Sequence, residues 1–332
     1  MDHVNSTNES SRKKGEEREM KSKNWTMFQG DCIPHMLEDM EPESVDCAIF
    51  SPPFPALFSY TSAAEDIGNS EDLKTDAKIH LGYFFRGLAR VLKPGRVAIV
   101  HVMQIPRLKR SGGEGLFDYR GLNIRLGERA GLIYEYDWSV RKNPQAQAIR
   151  TKSRNLQFAG LETDRSFQRG ALADYLIKFR APGEIKTPIC DTEKIIDDDG
   201  DVIGKKKKYE TQVTRNEWIE WAECCWMDIK ETDTLNIRGT KGEEDVKHIC
   251  PLQLGVIERL VKLYTNPGEL VFSPFAGIGS EGYQALKFGR RFYGCELKPE
   301  YFEEAKRNLE AAEKEESIKT RSMFDELEEV TA

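Results

Sequence analysis

The chain has 332 residues, 39% hydrophobic and 32% charged, enough to bury a full core in one large domain with an insertion, or in two domains. Its net charge of −7 excludes a protein that coats nucleic acid by bulk charge, while leaving room for local basic surfaces. No apolar run approaches a membrane span, and the seven scattered cysteines form no C-x-x-C pair. The expectation is a cytoplasmic, reduced protein with no membrane partner, no metal and no structural disulfide.

Residues 1–23 are polar and highly charged and read as a disordered tail. Trp25 to Cys32 reads as a strand ending in Gly30-Asp31, followed by a short amphipathic helix carrying Met36, Leu37 and Met40. Val45 to Phe50 is apolar except for Asp46 and fits a short buried strand of a parallel sheet. Pro52-Pro53 then end the pairing, because proline cannot donate to a ladder, and hold a stiff turn at the strand's carboxyl end. Open α/β sheets place their ligands at that edge. The turn presents the Ser51 hydroxyl, backbone carbonyls and the Phe54 ring. An exocyclic amino group on a flat heterocycle could give its hydrogens to Ser51 Oγ and the Pro52 carbonyl while its ring stacks on Phe54. A plain strand-ending turn uses the same residues, so the tetrapeptide alone leaves both readings open.

After Phe54 periodicity is lost until about Lys74, which reads as a mobile loop beside the site. A helix with Ile79, Tyr83, Phe84, Leu88 and Val91 follows, ends at Lys93-Pro94-Gly95, and leads into a strand from Arg96 to Val102, completing a βαβ unit. Gly112, Gly113 and Gly115 lack the spacing of a phosphate cradle. A helix is expected near Leu122 to Ala130, and strands over Leu132 to Val140 and Ala173 to Phe179. The connector between those strands carries Arg141, Lys142, Arg150, Lys152, Arg154, Arg165 and Arg169, interleaved with Asn and Gln. Such a mix suits phosphates and base edges, although a charge run is by default a solvated face. Residues 181–245 break the pattern and read as an inserted module. Its acidic tip, Asp197 to Asp201, lacks the alternation of a calcium loop, and Trp218, Trp221 and Trp226 are expected to pack a small core of their own.

Order returns at His248 to Pro251, with Pro251 suited to a helix first turn and Leu254, Ile257, Leu260, Val261 and Tyr264 on the helix. A strand from Glu269 then runs into Gly277-x-Gly279 and a further helix. Arg291 to Glu296 is the next strand, and a helix from Pro299 to about Glu313 precedes a charged tail, 313–332. The two glycines let backbone approach a ligand closely. Glu296, at a strand tip, can accept both hydroxyls of a ribose. Together they propose a nucleoside-containing cofactor, while the missing third glycine and phosphate-binding residues argue against NAD and ATP.

Ser51-Pro52-Pro53-Phe54, followed late in the chain by Ser273-Pro274-Phe275-Ala276-Gly277-Ile278-Gly279, resembles the catalytic and cofactor motifs of the beta group of DNA amino-methyltransferases. The resemblance covers residues 24–180 and 246–312. It implies an α/β, Rossmann-like sheet of about seven mostly parallel strands in circularly permuted motif order. Residues 24–180 would be the catalytic half, 181–245 a target-recognition module and 246–312 the cofactor half. It also implies S-adenosylmethionine as cofactor. Phe275, Gly277, Gly279 and Ser280 would line its methionine and ribose, Glu296 would hold the ribose hydroxyls, and Asp31 would reach the adenine end. His248 to Pro251 would close the pocket near the methionine tail. Asp31 as a simple helix cap and His248 as a surface residue are the alternatives. Ser273 departs from the family, which usually has an acidic residue there to neutralise the cofactor's amino group.

The activity implied is direct methyl transfer to the amino group of a base flipped out of double-stranded DNA, with Arg141, Lys142, Arg150, Lys152 and Arg154 on phosphates. In this family serine at the first catalytic position goes mostly with N4 of cytosine and aspartate mostly with N6 of adenine. Cytosine is therefore expected, with adenine as the alternative and an inactive cofactor-binding DNA regulator, or RNA or protein methylation, as further readings. A homodimer and a cognate restriction nuclease stay open.

Overall fold

The computed structural model describes residues 18–55, 61, 65–69, 75–107, 115–151, 161–166, 168–235 and 251–331. Strands β1 (Arg18–Lys21), β2 (Trp25–Gln29) and β3 (Val45–Phe50) open the fold, with a short helix α1 (Cys32–Pro34) between the last two. Helix α2 (Asp76–Val91) leads into β4 (Leu92–Met103), and a small ladder of β5 (Ile105–Pro106) and β6 (Leu116–Phe117) precedes α3 (Tyr119–Arg129). Next come β7 (Ile133–Val140), α4 (Pro144–Thr151), β8 (Asp174–Arg180) and the hairpin of β9 (Thr192–Ile196) and β10 (Val202–Lys207). Helix α5 (Arg215–Trp221), β11 (Cys225–Trp226), α6 (Leu254–Tyr264), β12 (Leu270–Ser273), α7 (Ser280–Lys287), β13 (Arg291–Glu296) and α8 (Pro299–Thr331) complete it.

Nine strands form one sheet in the order β1-β2-β13-β12-β3-β4-β8-β7-β11. From β2 to β4 all neighbours are parallel, β8 is antiparallel to both β4 and β7, and β11 runs parallel to β7. The expected mostly parallel sheet is present, with an extra strand at each edge. Both extras come from segments read otherwise. Arg18–Lys21 falls in the stretch assigned to a tail, but an edge strand needs no apolar pattern, and charged side chains there guard against stray pairing; Arg18 also reaches Glu303 at 2.6 Å. At the other edge, β11 rises out of the inserted module. The last helix continues past Glu313 to Thr331, so the segment read as a charged tail has helical backbone.

The central strand explains its own composition. Ala48 and Phe50 of β3 face a core with α2 and α3 that contains Phe84, Phe85 and Phe179. Cys47 and Ile49 face the opposite core, with Ile257 of α6 and Phe302 of α8. A strand covered on both faces must be apolar at nearly every position. The exception, Asp46, is paired with Lys93 at 2.5 Å and accepts from the Leu270 amide at 2.9 Å.

The inserted stretch is not one unit. Because β8 runs against its neighbours, its carboxyl end returns the chain to the sheet edge where the parallel strands begin. Ala181 bonds the backbone of Arg96 and Gly95 there, and Asn266 ties down Pro188 and Cys190. The hairpin β9–β10 hangs from that edge. Trp221 and Trp226, expected in a private core, belong to the main one, with the Trp226 ring tilted against Trp138 at 5.3 Å between centroids. Trp218 is exposed.

Candidate active site

The parallel strands β2, β3, β12 and β13 all end at the opposite edge, and a cleft opens there. Its walls include Gly30 and Asp31 after β2, Ser51 to Phe54 after β3, Phe275, Gly277, Ser280 and Glu281 after β12, and Glu296 closing β13. Two motifs more than 200 residues apart in the sequence thus meet because β3 and β12 are hydrogen-bonded neighbours.

On the β3 side, Ser51 Oγ lies 3.2 Å from the carbonyl oxygen and 3.1 Å from Nδ1 of His101, a residue of β4. Nε2 of His101 is 2.8 Å from Asp174 Oδ2, which also receives Lys142 Nζ at 2.6 Å. Burial disfavours the charged form of Asp174, but His101 and Lys142 outweigh it and hold the carboxyl below its ordinary range. An ionised Asp174 accepts from Nε2–H, which makes Nδ1 of a neutral imidazole an acceptor. The single hydroxyl hydrogen of Ser51 therefore has two acceptors on His101, and the serine oxygen keeps lone pairs for a donor in the cleft. The Pro53 carbonyl accepts from Tyr119 Oη at 2.6 Å, whereas none of the described residues donates to the Pro52 carbonyl. Phe54 is buried against the Tyr119 ring, 5.7 Å between centroids, and lines the cleft.

On the β12 side, the Gly277 amide donates to Glu296 Oε2 and the Lys298 amide to Oε1, both at 2.8 Å. Each oxygen retains lone pairs. Burial pushes the Glu296 carboxyl up to about 7 despite those amides. Gly277 and Gly279 have φ of 53° and 83°, the left-handed region that favours glycine. A Cβ on Gly277 would meet nothing within 4 Å, so no protein packing fills the space beside it. Ser273 Oγ and Ser280 Oγ are buried without a hydrogen-bond partner. Unsatisfied buried hydroxyls and an acidic strand tip beside an open glycine turn fit a polar, ribose-bearing ligand.

The other sequence candidates divide. Asp31 does cap α1, accepting from the Ile33 amide at 2.9 Å, and lines the cleft as well. Pro251 lines it, while His248 lies outside the described residues. Arg141 is exposed just beyond β7. Lys142 is turned inward onto Asp174 and is not a free phosphate contact. The Arg150 side chain, Lys152 and Arg154 lie outside the described residues. His101, Asp174 and Glu281 were not singled out from sequence. A histidine in Ala98-Ile99-Val100-His101-Val102 was a readable signal, a polar residue near the end of an apolar strand. Among the described residues no cluster of three metal-ligating side chains occurs, and no helix is long and apolar enough to cross a membrane.

Residues 45–307 match the family model described as DNA methylase, which groups N6- and N4-directed enzymes. The chain belongs to this family. Over 58 residues, 18% of this chain and 22% of the relative, it is 40% identical to the type II methyltransferase M1.MboII of Moraxella bovis. Over 57 residues, 17% of this chain and 19% of the relative, it is 37% identical to the DNA adenine methyltransferase YhdJ of Escherichia coli. The alignments span only about a fifth of these two relatives. Among solved structures, the cytosine-N4-specific PvuII DNA methyltransferase superposes with a TM-score of 0.55 at 17% identity, covering 86% of each chain. The Thermus thermophilus protein TTHA0409, solved with S-adenosyl-L-methionine, gives 0.57 at 20% identity, covering 86% of this chain and 94% of that one. At such identities the likeness establishes the fold: a methyltransferase-type α/β sheet.

Proposed function

We propose that the chain methylates the exocyclic amino group of a base in duplex DNA, with S-adenosylmethionine as donor and N4 of cytosine as the target atom. The observation that carries this reading is the state of Ser51, whose hydroxyl hydrogen is engaged by His101 while its oxygen faces a cleft that also holds Glu296. An aromatic amine is a poor nucleophile because its lone pair is delocalised into the ring. Two acceptors, Ser51 Oγ and the Pro52 carbonyl, draw on the amino hydrogens and favour a pyramidal nitrogen. They act most strongly as positive charge develops on that nitrogen in the transition state. Phe54 supplies the stacking surface that a flipped base needs.

S-adenosylmethionine bound in this cleft would supply an electrophilic methyl on a sulfonium. Glu296 and the Gly277 turn would hold its ribose, and Ser280 would offer its unpartnered hydroxyl to the polar tail. As the new N–C bond forms, the nitrogen must lose one proton; Ser51 Oγ can take it up while passing its own hydrogen to His101 Nδ1, and the Asp174 carboxylate stabilises the imidazolium that results.

N6 of adenine is the second reading, supported by the adenine-specific name of YhdJ among the relatives. The test is incubation with labelled S-adenosylmethionine and mixed-sequence duplex DNA, digestion to nucleosides and mass identification. N4-methylcytosine is the expected product, and N6-methyladenine moves the target base. No label in DNA from a preparation that binds the cofactor overturns the enzyme reading in favour of a binding regulator.

A further inference from the structure

Ser273 stands where the family usually carries an acidic residue, and a different buried carboxyl, Glu281, lies on the cleft wall. Ser273 is fully buried at the end of β12, and its Oγ has no hydrogen-bond partner. Glu281, the second residue of α7, is 4% exposed and lines the cleft, whose wall begins one residue after Ser273. The other acidic residues on the wall are engaged or solvated. Asp31 caps α1, Asp66 accepts from the amides of Thr61 and Gly68, Glu65 is exposed, and Glu296 is held by two amides. No Lys, Arg or His among the described residues forms an ion pair with Glu281, and the charged group that acts on it is another carboxylate, Glu296. Burial first, and Glu296 second, push the Glu281 carboxyl up to about 8. Its own backbone amide, at the α7 N-terminus, donates to the carboxyl and compensates only in part. A buried carboxyl beside a second carboxyl, on the wall of an open cleft, is poised for a cation brought by the ligand.

We propose that Glu281 receives the ammonium group on the methionine portion of S-adenosylmethionine, taking over from α7 the role that Ser273 cannot fill at the tip of β12. The assignment rests on the methyltransferase reading above. It places the two recognition acids on successive parts of the cofactor: Glu296 on the ribose, Glu281 on the amino-acid end. The serine at 273 then becomes intelligible, since a second carboxylate there would crowd a third acid into one dry pocket.

The test is calorimetric binding of three probes to the full chain and to Glu281→Gln, an isosteric change. S-adenosylmethionine carries ammonium and sulfonium, S-adenosylhomocysteine only the ammonium, and 5′-methylthioadenosine neither. Glu281→Gln should weaken the first two alike, by about 10- to 100-fold, and change the third by less than about twofold. Adding Ser273→Asp in the Gln background should restore most of the loss. A loss confined to S-adenosylmethionine would assign Glu281 to the sulfonium, and equal losses for all three would assign it to the ribose end or to folding. Either result, or no change in any, overturns the proposal. If Glu281→Gln does not fold, Glu281→Asp carries the comparison, and its shortened carboxylate should again weaken the two amino-acid ligands selectively. A wild-type chain that binds none of the three overturns the methyltransferase reading itself.

Discussion

His101 bridges Ser51 and Asp174: its Nδ1 is 3.1 Å from the serine Oγ and its Nε2 is 2.8 Å from the aspartate Oδ2. The bridge couples the Ser51 to Phe54 turn after β3 to the first residue of an antiparallel strand two places along the sheet. Residues that act as one unit give non-additive losses. Ser51→Ala should lower single-turnover methylation by about 10²- to 10³-fold, and His101→Gln by about 10²-fold. The double variant should be no slower than Ser51→Ala alone. Fully multiplicative losses in rapid-quench assays would show that His101 acts independently of the serine.

Asp174 also ties stability to acid pH. Its carboxyl is held below its ordinary range in the fold, so its ionised form stabilises the protein above the unfolded value near 3.8. That contribution is lost as pH falls through the folded value. Asp174→Ala should cost about 3–5 kcal/mol near neutral pH, because it strands Lys142 beside His101 in a buried site. Urea titrations at pH 7 and below pH 4 check both points: the gap between wild type and variant should shrink in acid.

The acidic wall of the cleft works in the opposite direction. Glu281 and Glu296 are raised to about 8 and about 7 from an ordinary value of 4.5, so the fold binds their protons more tightly than the unfolded chain does. Stability of the ligand-free protein should therefore fall as pH rises from about 4.5 to about 8. Glu281→Gln should flatten much of that slope and leave the protein at least as stable as wild type at pH 8. Thermal melts across this range measure it, and a slope unchanged by the substitution would remove Glu281 as its source.

Much of this was legible in the sequence. The Val45 to Phe50 run, the proline turn after it, the Gly277-x-Gly279 turn and the acid at 296 all sit where their patterns indicated, because each is a local signal of strand, break or tight turn. Long-range pairings were not legible. Nothing local in Lys142 distinguishes a phosphate contact from an ion pair with Asp174, since the two meet only when β7 and β8 align. Glu281 likewise looks like an ordinary charged helix residue until α7 packs against α6 and α8. The charged β1 gave no strand signal because an edge strand needs none.

The inserted stretch offers the sharpest contrast between its two ends. Its hairpin β9–β10 hangs from the edge where the parallel strands start and exposes Ile196, Val202 and Ile203, while the cleft opens at the other edge. Beyond α5 the chain returns to the sheet through Trp226, which is buried against Trp138 and under the Arg259 guanidinium 4.9 Å from its ring. From there it reaches the cleft side, where the Asn143 amide bonds Glu231 and the Leu254 amide bonds the Asp233 carbonyl. Replacing residues 192–207 by a short glycine–serine linker should thus leave cofactor affinity and methylation rate within about twofold. Trp226→Ala should instead cost about 3–5 kcal/mol of stability, the usual loss for a buried tryptophan. If removing the hairpin abolished sequence-specific methylation while cofactor binding survived, target recognition would have to reach around the sheet from its far edge, and the division of the stretch into two ends would be wrong.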